Sequence, residues 1–484
     1  MCRVSTLSIA FALGWGLSAG DASGSDWPRF RGPNGTGIST DAGLPGEAGP
    51  ERNVLWKLPV GAGASSPVID SGRLFLTSFE GQDRRLQAFE AATGELQWTL
   101  TLPSLRPMRF TPPGGPATPT PVVDGGRVFA FFPDAGLLAA TTDGEELWRV
   151  DIGPTASLHG LASSLVVADD RVILVADQLK DSFIAAYDVR TGDEAWRRER
   201  FNGMTGGFST PVLHQPAEGP LQVVVFGPVE LVAYAASTGD RLWWATGLGT
   251  APVGVPILLP DRVIVSEPVF EPLPFAVVAG LDADRDGEIT PEEHGRDPSM
   301  SLFVAKIEKE HGDGDGTLTQ AEWTKSQEAI RGKGGLTAFA LGGAEDIGES
   351  GRQWTYRRQV PYIPSTLAYA DVLYMVQDGG LVTTFDPATG ELLKRGRLKE
   401  GGGQFWASPV AGDGKVYVIN TEGRLTILQA GGEWGELSTA DLGEQALATP
   451  AIADGRLYVR TDRTLWCFSQ GAGEGAIPGD SSSS

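Results

Sequence analysis

The stretch Ala186-Tyr187-Asp188-Val189-Arg190-Thr191-Gly192-Asp193-Glu194-Ala195-Trp196 runs from a short apolar segment through a glycine turn to a tryptophan four residues on. The same phrase stands at Thr93-Gly94 to Trp98, Asp143-Gly144 to Trp148 and Thr238-Gly239 to Trp243, while Thr389-Gly390 repeats the turn with no tryptophan after it. A second phrase alternates with the first: a small residue, usually a proline, an apolar pair, a turn, then a basic and an apolar residue. It reads Ser66-Pro67-Val68 with Gly72-Arg73-Leu74, Thr120-Pro121-Val122 with Gly126-Arg127-Val128, and Thr210-Pro211-Val212. It returns as Ser408-Pro409-Val410 with Gly414-Lys415-Val416 and as Thr449-Pro450-Ala451 with Gly455-Arg456-Leu457. Weaker copies at Ser164-Leu165-Val166, Val255-Pro256-Ile257 and Ser365-Thr366-Leu367 bring the number to eight.

Between the phrases lie strand-length apolar runs such as Arg73–Thr77, Val172–Ala176 and Val416–Ile419, bounded by turn-forming residues. One repeat therefore carries about four short antiparallel strands, the content of one β-propeller blade. The second residues of the eight copies are spaced by 54, 44, 46, 45, 110, 43 and 41 residues. Seven intervals suit eight blades, and the long one holds about 65 residues beyond a repeat, so an insertion is expected in the fifth. The last repeat supplies Ala451-Ile452, Leu457–Arg460 and Leu465–Phe468 but lacks an outer strand. Asn53-Val54-Leu55-Trp56-Lys57 has the missing pattern. An unpaired edge invites aggregation, so the two chain ends are expected to meet in blade eight. The expected fold is all-β: an eight-bladed propeller of four-stranded antiparallel blades with a small α-helical insertion in blade five.

The insertion carries its own motif. Asp282-Ala283-Asp284-Arg285-Asp286-Gly287-Glu288-Ile289-Thr290-Pro291-Glu292-Glu293 fits the twelve-position EF-hand loop. Calcium takes six to eight oxygens, which explains carboxylates at alternate positions. Asp282, Asp284 and Asp286 would bind through side chains and Glu288 through its carbonyl, with Thr290 acting directly or through water and Glu293 closing the site. Gly287 permits the bend, and Ile289 should pair with a second loop. That loop is His311-Gly312-Asp313-Gly314-Asp315-Gly316-Thr317-Leu318-Thr319-Gln320-Ala321-Glu322. Asp313, Asp315, the Thr317 carbonyl, Thr319 and Glu322 match, but His311 replaces the first carboxylate, so this loop is expected to bind calcium more weakly or to serve mainly as the structural partner of the first. Ser299–Glu310 and Thr319–Arg331 read as helices, whereas Pro272 and Pro274 leave little room for one before Asp282. Calcium is expected to order the insert without being catalytic.

The chain has 484 residues, with 65 Gly and 33 Pro, well above the average share of about 12%. With 41% hydrophobic residues the composition is still globular, so the excess marks frequent turns. The 39 basic against 61 acidic residues give a net charge of −22, which argues against nucleic acid and against an anionic membrane as partners. Only Cys2 and Cys467 occur, so there is no disulfide framework and no cysteine zinc site. Arg3, the apolar run Leu7–Leu17 and the small residues Ser18, Ala19, Gly20 and Ala22 read as an export signal, cleaved near Ala19 or Ala22. The run is shorter than the roughly 20 residues that span a bilayer, and Cys2, ahead of it, is badly placed for lipid attachment. The expected product is periplasmic or secreted, not an integral membrane protein. The expected layout is a signal peptide (1–22), an N-terminal leading segment (23–52), propeller (53–275), calcium-binding pair (276–332), propeller (333–470, with 53–58 closing blade eight) and a disordered tail (471–484).

Ala88-Phe89-Glu90-Ala91-Ala92-Thr93-Gly94-Glu95-Leu96-Gln97-Trp98 and the 186–196 stretch resemble the A-x-D-x-x-T-G-x-x-x-W docking motif of the pyrroloquinoline-quinone-like (PQQ-like) repeat propellers, with Glu90 replacing Asp in the first. The resemblance covers about residues 53–470 outside the insertion. Asp26-Trp27-Pro28-Arg29-Phe30-Arg31-Gly32-Pro33 is similar to the opening segment of exported bacterial members. Quinone enzymes of this family add an axial site with a general-base Asp, a calcium held by carboxylate and amide side chains and commonly a vicinal disulfide. This chain has no adjacent cysteines, no Cys-x-x-Cys-His and no Asp or Glu matched to that site by a local motif. The family also includes the propeller of the outer-membrane protein assembly machinery, whose repeats serve protein contacts without a cofactor. The resemblance therefore implies an exported scaffold for a protein or small ligand, to which the loop motifs of the insertion add calcium. A PQQ-dependent dehydrogenase of alcohols or sugars is the runner-up and carbohydrate or matrix binding a third reading.

Trp98, Trp148, Trp196 and Trp243 are read as packing between blades. Gly401-Gly402-Gly403-Gln404-Phe405-Trp406, His159 and Phe208 precede inner strands; they read first as close-packed turns around the axis and second as candidates for one mouth of the channel. His159, His214, His294 and His311 show no metal-ligand spacing, and Asn34-Gly35-Thr36 matches a glycosylation acceptor.

Overall fold

The computed structural model describes residues 25–472 except 109, 113, 158, 203–205, 297 and 332. The signal peptide and all but the first two residues of the expected tail lie outside the described residues.

Eight antiparallel sheets form the body, each laid down from an inner strand outward. Blade one is typical: Val68–Asp70, Arg73–Glu80, Asp83–Glu90 and Leu96–Pro103. Blade five is interrupted as the spacing requires. Its second strand ends at Glu267 and its third begins at Gly335, and the two pair directly, Glu267 opposite Gly335. Blade eight closes with the N-terminal strand Val54–Pro59, which pairs antiparallel with Thr464–Ser469, Trp56 opposite Cys467. The middle strands are buried on both faces, as at Arg127–Phe132 and Leu381–Phe385, because each blade is sandwiched between two others.

The tryptophans lock neighbouring blades together. Trp98 lies on Gly144 of the next blade's turn, Trp148 on Gly192, and Trp354 on Gly390. At Gly192 (φ +76°) a Cβ would sit 2.8 Å from the Trp148 ring, so the turn needs glycine for its conformation and for its lack of a side chain. The buried indole N–H of Trp354 has no partner among the described residues, but three others complete the lock by donating to a carbonyl of the next blade's turn: Trp98 to Thr142 (3.0 Å), Trp148 to Val189 (3.1 Å) and Trp196 to Ala236 (3.0 Å). Trp56 does the same to Ala91 (3.2 Å), joining blade eight to blade one. Trp243 differs. It donates within its own blade to Gln222, and its strand is met by Glu345–Asp346 running parallel to it from blade five. Blade six lacks the tryptophan, and Trp434 of blade seven packs back onto Gly396 instead.

The leading segment threads across the axis. Trp27 exchanges backbone hydrogen bonds with Ile69 of blade one (2.8 and 2.9 Å), and Pro28 accepts from Val123 of blade two. Buried Arg29 and Arg31 donate to the carbonyls of Pro211 and Thr366, in blades four and six. Ile38 bridges Ala411 of blade seven. Asn34 pairs through both side-chain atoms with the backbone of Leu213 (2.7 and 2.8 Å), so the amide that glycosylation would use is engaged in holding this segment.

Candidate functional site

Where the eight inner strands begin, the small residue of each repeat turns toward the axis, and these residues form a chain of hydrogen bonds. The backbone N–H of Ser66 donates to the Thr120 hydroxyl (2.9 Å), that of Thr120 to Ser164 (3.0 Å) and that of Ser164 to Thr210 (3.0 Å). The series resumes from Val255 to Ser365, Ser365 to Ser408 and Ser408 to Thr449, each 3.0 Å. One gap falls where Val255 brings no hydroxyl, and there Ser209 bonds the Gly254 carbonyl instead (2.8 Å). The other gap is the blade eight to blade one seam, where the buried Ser66 hydroxyl has no partner. Arg460 spans that seam, donating to the carbonyls of Ser65 (2.9 Å), Thr77 (3.0 Å) and Gly61 (3.0 Å). Burial pulls its guanidinium down to about 9, which the charge of Asp462 offsets only in part.

Above this ring opens a funnel of about 220 Å³, with Phe30 of the leading segment as its floor. Of the candidates read from the sequence, His159, Phe208 and Trp406 stand in its wall, whereas residues 401–405 do not line it and Phe405 is packed in the core; Val253, Tyr362, Ile363 and Leu447 join the wall. Val253, Ile363 and Leu447 stand two residues before Val255, Ser365 and Thr449 of their repeats, the place that Phe208 and Trp406 hold before Thr210 and Ser408, so this repeat position was the signal that could have found them; of the four, only Tyr362 falls outside it. His159 meets Phe208 edge-on at 6.0 Å and its Nδ1 lies 3.0 Å from the Thr111 carbonyl. No Asp, Glu, Lys or Arg is found among the described residues lining the funnel. Buried charges are spent elsewhere, in pairs such as Arg84–Asp134 (2.5 Å) and Arg200–Asp177 (2.6 Å). PQQ is a tricarboxylate, and the enzyme site implied by the resemblance needs a carboxylate base and calcium ligands. The described funnel wall supplies neither cations for the one nor carboxylates for the other, so the residues present do not fit that group.

Glu267 ends the strand before the insertion and is buried. Its Oε1 accepts from the Gly249 N–H (2.6 Å), its Oε2 has no partner, and burial raises its carboxyl to about 7. Gly249 belongs to the loop that carries Val253 into the funnel.

The insertion sits on the blade-five loop with a core of Val278, Ile289, Val304, Ile307, Leu318 and Trp323. It contains helices α1 (Pro291–His294), α2 (Pro298–His311) and α3 (Gln320–Ile330), near the bounds expected for the last two. A one-turn 3-10 helix, Phe275–Val277, stands where the prolines precluded a longer one. The two acidic loops are joined back to back, Ile289 opposite Leu318. The first loop brings carboxylate oxygens of Asp282, Asp284 and Glu293 within 4.8 Å of one another. Glu293 also caps α1: its oxygens accept from the N–H groups of Thr290 (2.8 Å) and Ala283 (2.7 Å), which hold its carboxyl down at about 2. Asp286 instead accepts from the Glu288 N–H (2.9 Å) at the loop's rim. In the second loop Asp313 and Glu322 converge while Asp315 accepts from Thr317 (2.7 Å). Thr319 repeats the Thr290 role, its N–H donating to Glu322 (2.8 Å). The third carboxylate there is Glu308, outside the loop motif and therefore absent from the sequence reading.

Comparison with known proteins bears on the propeller. The family described as outer membrane protein assembly factor BamB matches residues 50–118, 108–271 and 332–476, which leaves out the helical insertion. A BamB protein of Burkholderia pseudomallei is 27% identical over 230 residues, covering 45% of this chain and 54% of that relative. The chain thus spans about half the length of this curated relative. Among solved structures, BamB from Moraxella catarrhalis aligns with a TM-score of 0.54 at 13% identity, over 86% of this chain and 99% of that one. Quinohemoprotein alcohol dehydrogenase from Comamonas testosteroni aligns with a TM-score of 0.59 at 14% identity, over 94% and 82%. At such identities both likenesses concern the fold alone. The repeats matched across both halves of the ring establish that the chain belongs to the BamB-type family of PQQ-like repeat propellers.

Proposed function

We propose that this protein is an exported, calcium-binding propeller that works as a rigid binding scaffold for a protein or an uncharged ligand, and is not a quinone enzyme. The observation that carries this reading is the funnel wall: aromatic and aliphatic side chains over a ring of hydroxyls, with no charge among the described lining residues. Such a surface binds an apolar group and orients it through a few hydrogen bonds, and it offers a tricarboxylate no counter-charge. The family's description as an outer membrane protein assembly factor supports a protein as the partner. Calcium is assigned to the insertion, whose donor set of carboxylates and carbonyls suits a hard cation. When bound it would neutralise the converging carboxylates of Asp282, Asp284 and Glu293 and hold the two loops together.

Native mass spectrometry of the full chain after incubation with excess PQQ and calcium tests both halves. Calcium should be retained and lost in Glu293→Gln at the first loop, and quinone should not. Retained quinone with dye reduction on an alcohol or sugar would overturn the scaffold reading. Undiminished calcium stoichiometry in Glu293→Gln would overturn the metal assignment.

A further inference from the structure

We infer that Glu308, on the last turn of α2, is a calcium ligand of the second loop and supplies the carboxylate that His311 does not; this rests on the reading that the acidic loops bind calcium. The two loops can be compared atom for atom. In the first, the converging carboxylates belong to the first, third and twelfth positions, Asp282, Asp284 and Glu293. In the second, the third and twelfth positions, Asp313 and Glu322, converge with Glu308, again within 4.8 Å. Glu308 lies three residues ahead of His311, one helical turn back on the same side of α2. The extra methylene of glutamate over aspartate covers part of that setback.

The backbone treats Glu308 as it treats Asp282. In the first loop the fourth-position N–H, that of Arg285, donates to Asp282 (2.6 Å). In the second loop the fourth-position N–H, that of Gly314, donates to Glu308. Gly312 leaves the space between the two glutamates open, since a Cβ there would lie 2.8 Å from Oε1 of both Glu308 and Glu322. Glu308 is only 4% exposed, a setting that carboxylates avoid unless paired or metal-bound. No ion pair to Glu308 is found among the described residues; Lys306, two residues back and on another side of the helix, faces Glu310 (3.8 Å) and stands over the Phe201 ring. With Glu308 included, the second loop has as many carboxylates as the first, and it is no longer the weaker site that His311 suggested.

The test uses the full chain with the first loop disabled by Glu293→Gln, so that the remaining calcium reports the second loop alone. Calorimetry is paired with terbium luminescence sensitised through Trp323, next to Glu322. One ion is expected in that background. Adding Glu308→Gln should weaken it at least ~10-fold, and adding His311→Asp to that variant should recover most of the loss, which a merely unfolded insertion would not show. Unchanged affinity in Glu308→Gln, no ion at the second loop, or a loss that His311→Asp fails to restore overturns the role of Glu308. A wild-type chain that binds no calcium at either loop instead overturns the calcium reading itself.

Discussion

If the indole-on-glycine contact holds adjacent blades together, its two partners must be energetically coupled, and the junction of blades two and three is where this can be measured. Gly192→Ala meets two separate costs. The backbone there has φ +76°, which for alanine costs about 1 kcal/mol. The new methyl would also lie 2.8 Å from Cδ2 and Cε3 of Trp148, against ~3.5–4.0 Å for a relaxed contact. Such overpacking costs roughly 1–3 kcal/mol. Trp148→Ala by itself should cost roughly 3–5 kcal/mol, since it empties a buried site and strands the Val189 carbonyl. In the double variant the steric cost vanishes and only the backbone cost remains. The double variant should therefore be more stable than the sum of the singles predicts, by roughly 1–3 kcal/mol. Urea unfolding followed by far-UV circular dichroism reads this without relying on the deleted fluorophore. Additivity to within about 0.5 kcal/mol would refute the account, because independent sites add to that tolerance.

Other consequences follow from the seam, the buried acid and the insertion. Arg460→Met should destabilise the ring by roughly 2–4 kcal/mol, because buried carbonyls of blade one lose their donor at about 1–3 kcal/mol each, partly offset by removal of a buried cation; an unchanged melting temperature would show that the seam does not need it. For Glu267 the folded carboxyl titrates at about 7 against an ordinary 4.5, so the folded state holds the proton more tightly. Its contribution is fully present below pH 4.5 and is lost as pH rises through 7, a difference of roughly 3 kcal/mol. Wild type should accordingly lose stability relative to Glu267→Gln between pH 5 and 8, and parallel pH profiles would contradict the assignment. Chelation of calcium should speed amide exchange across residues 282–322 while leaving strands such as Lys415–Ile419 protected; uniform loosening would place the metal in the propeller instead.

Blade number, the interrupted fifth repeat and the closure of blade eight were legible in the chain because they follow from covalent spacing. A repeat that needs an apolar strand, a turn and an indole at set separations writes that period directly into the order of residues. The paired acidic loops were legible for the same reason, since their carboxylates recur at fixed local steps along the chain. The funnel wall was only partly so: Phe208, Trp406 and Leu447 share one place ahead of their inner strands, but Phe30 and Tyr362 have no such place and meet them because the ring brings distant segments to one axis. Glu308 lies one helical turn outside its motif, and its carboxylate reaches the loop only through the path of α2. The unpartnered Glu267 and the carbonyl-bound Arg460 likewise owe their character to what surrounds them in space. Short-range geometry repeats along a chain and can be read from it, whereas burial and convergence depend on residues far apart in sequence and exist only once the ring has closed.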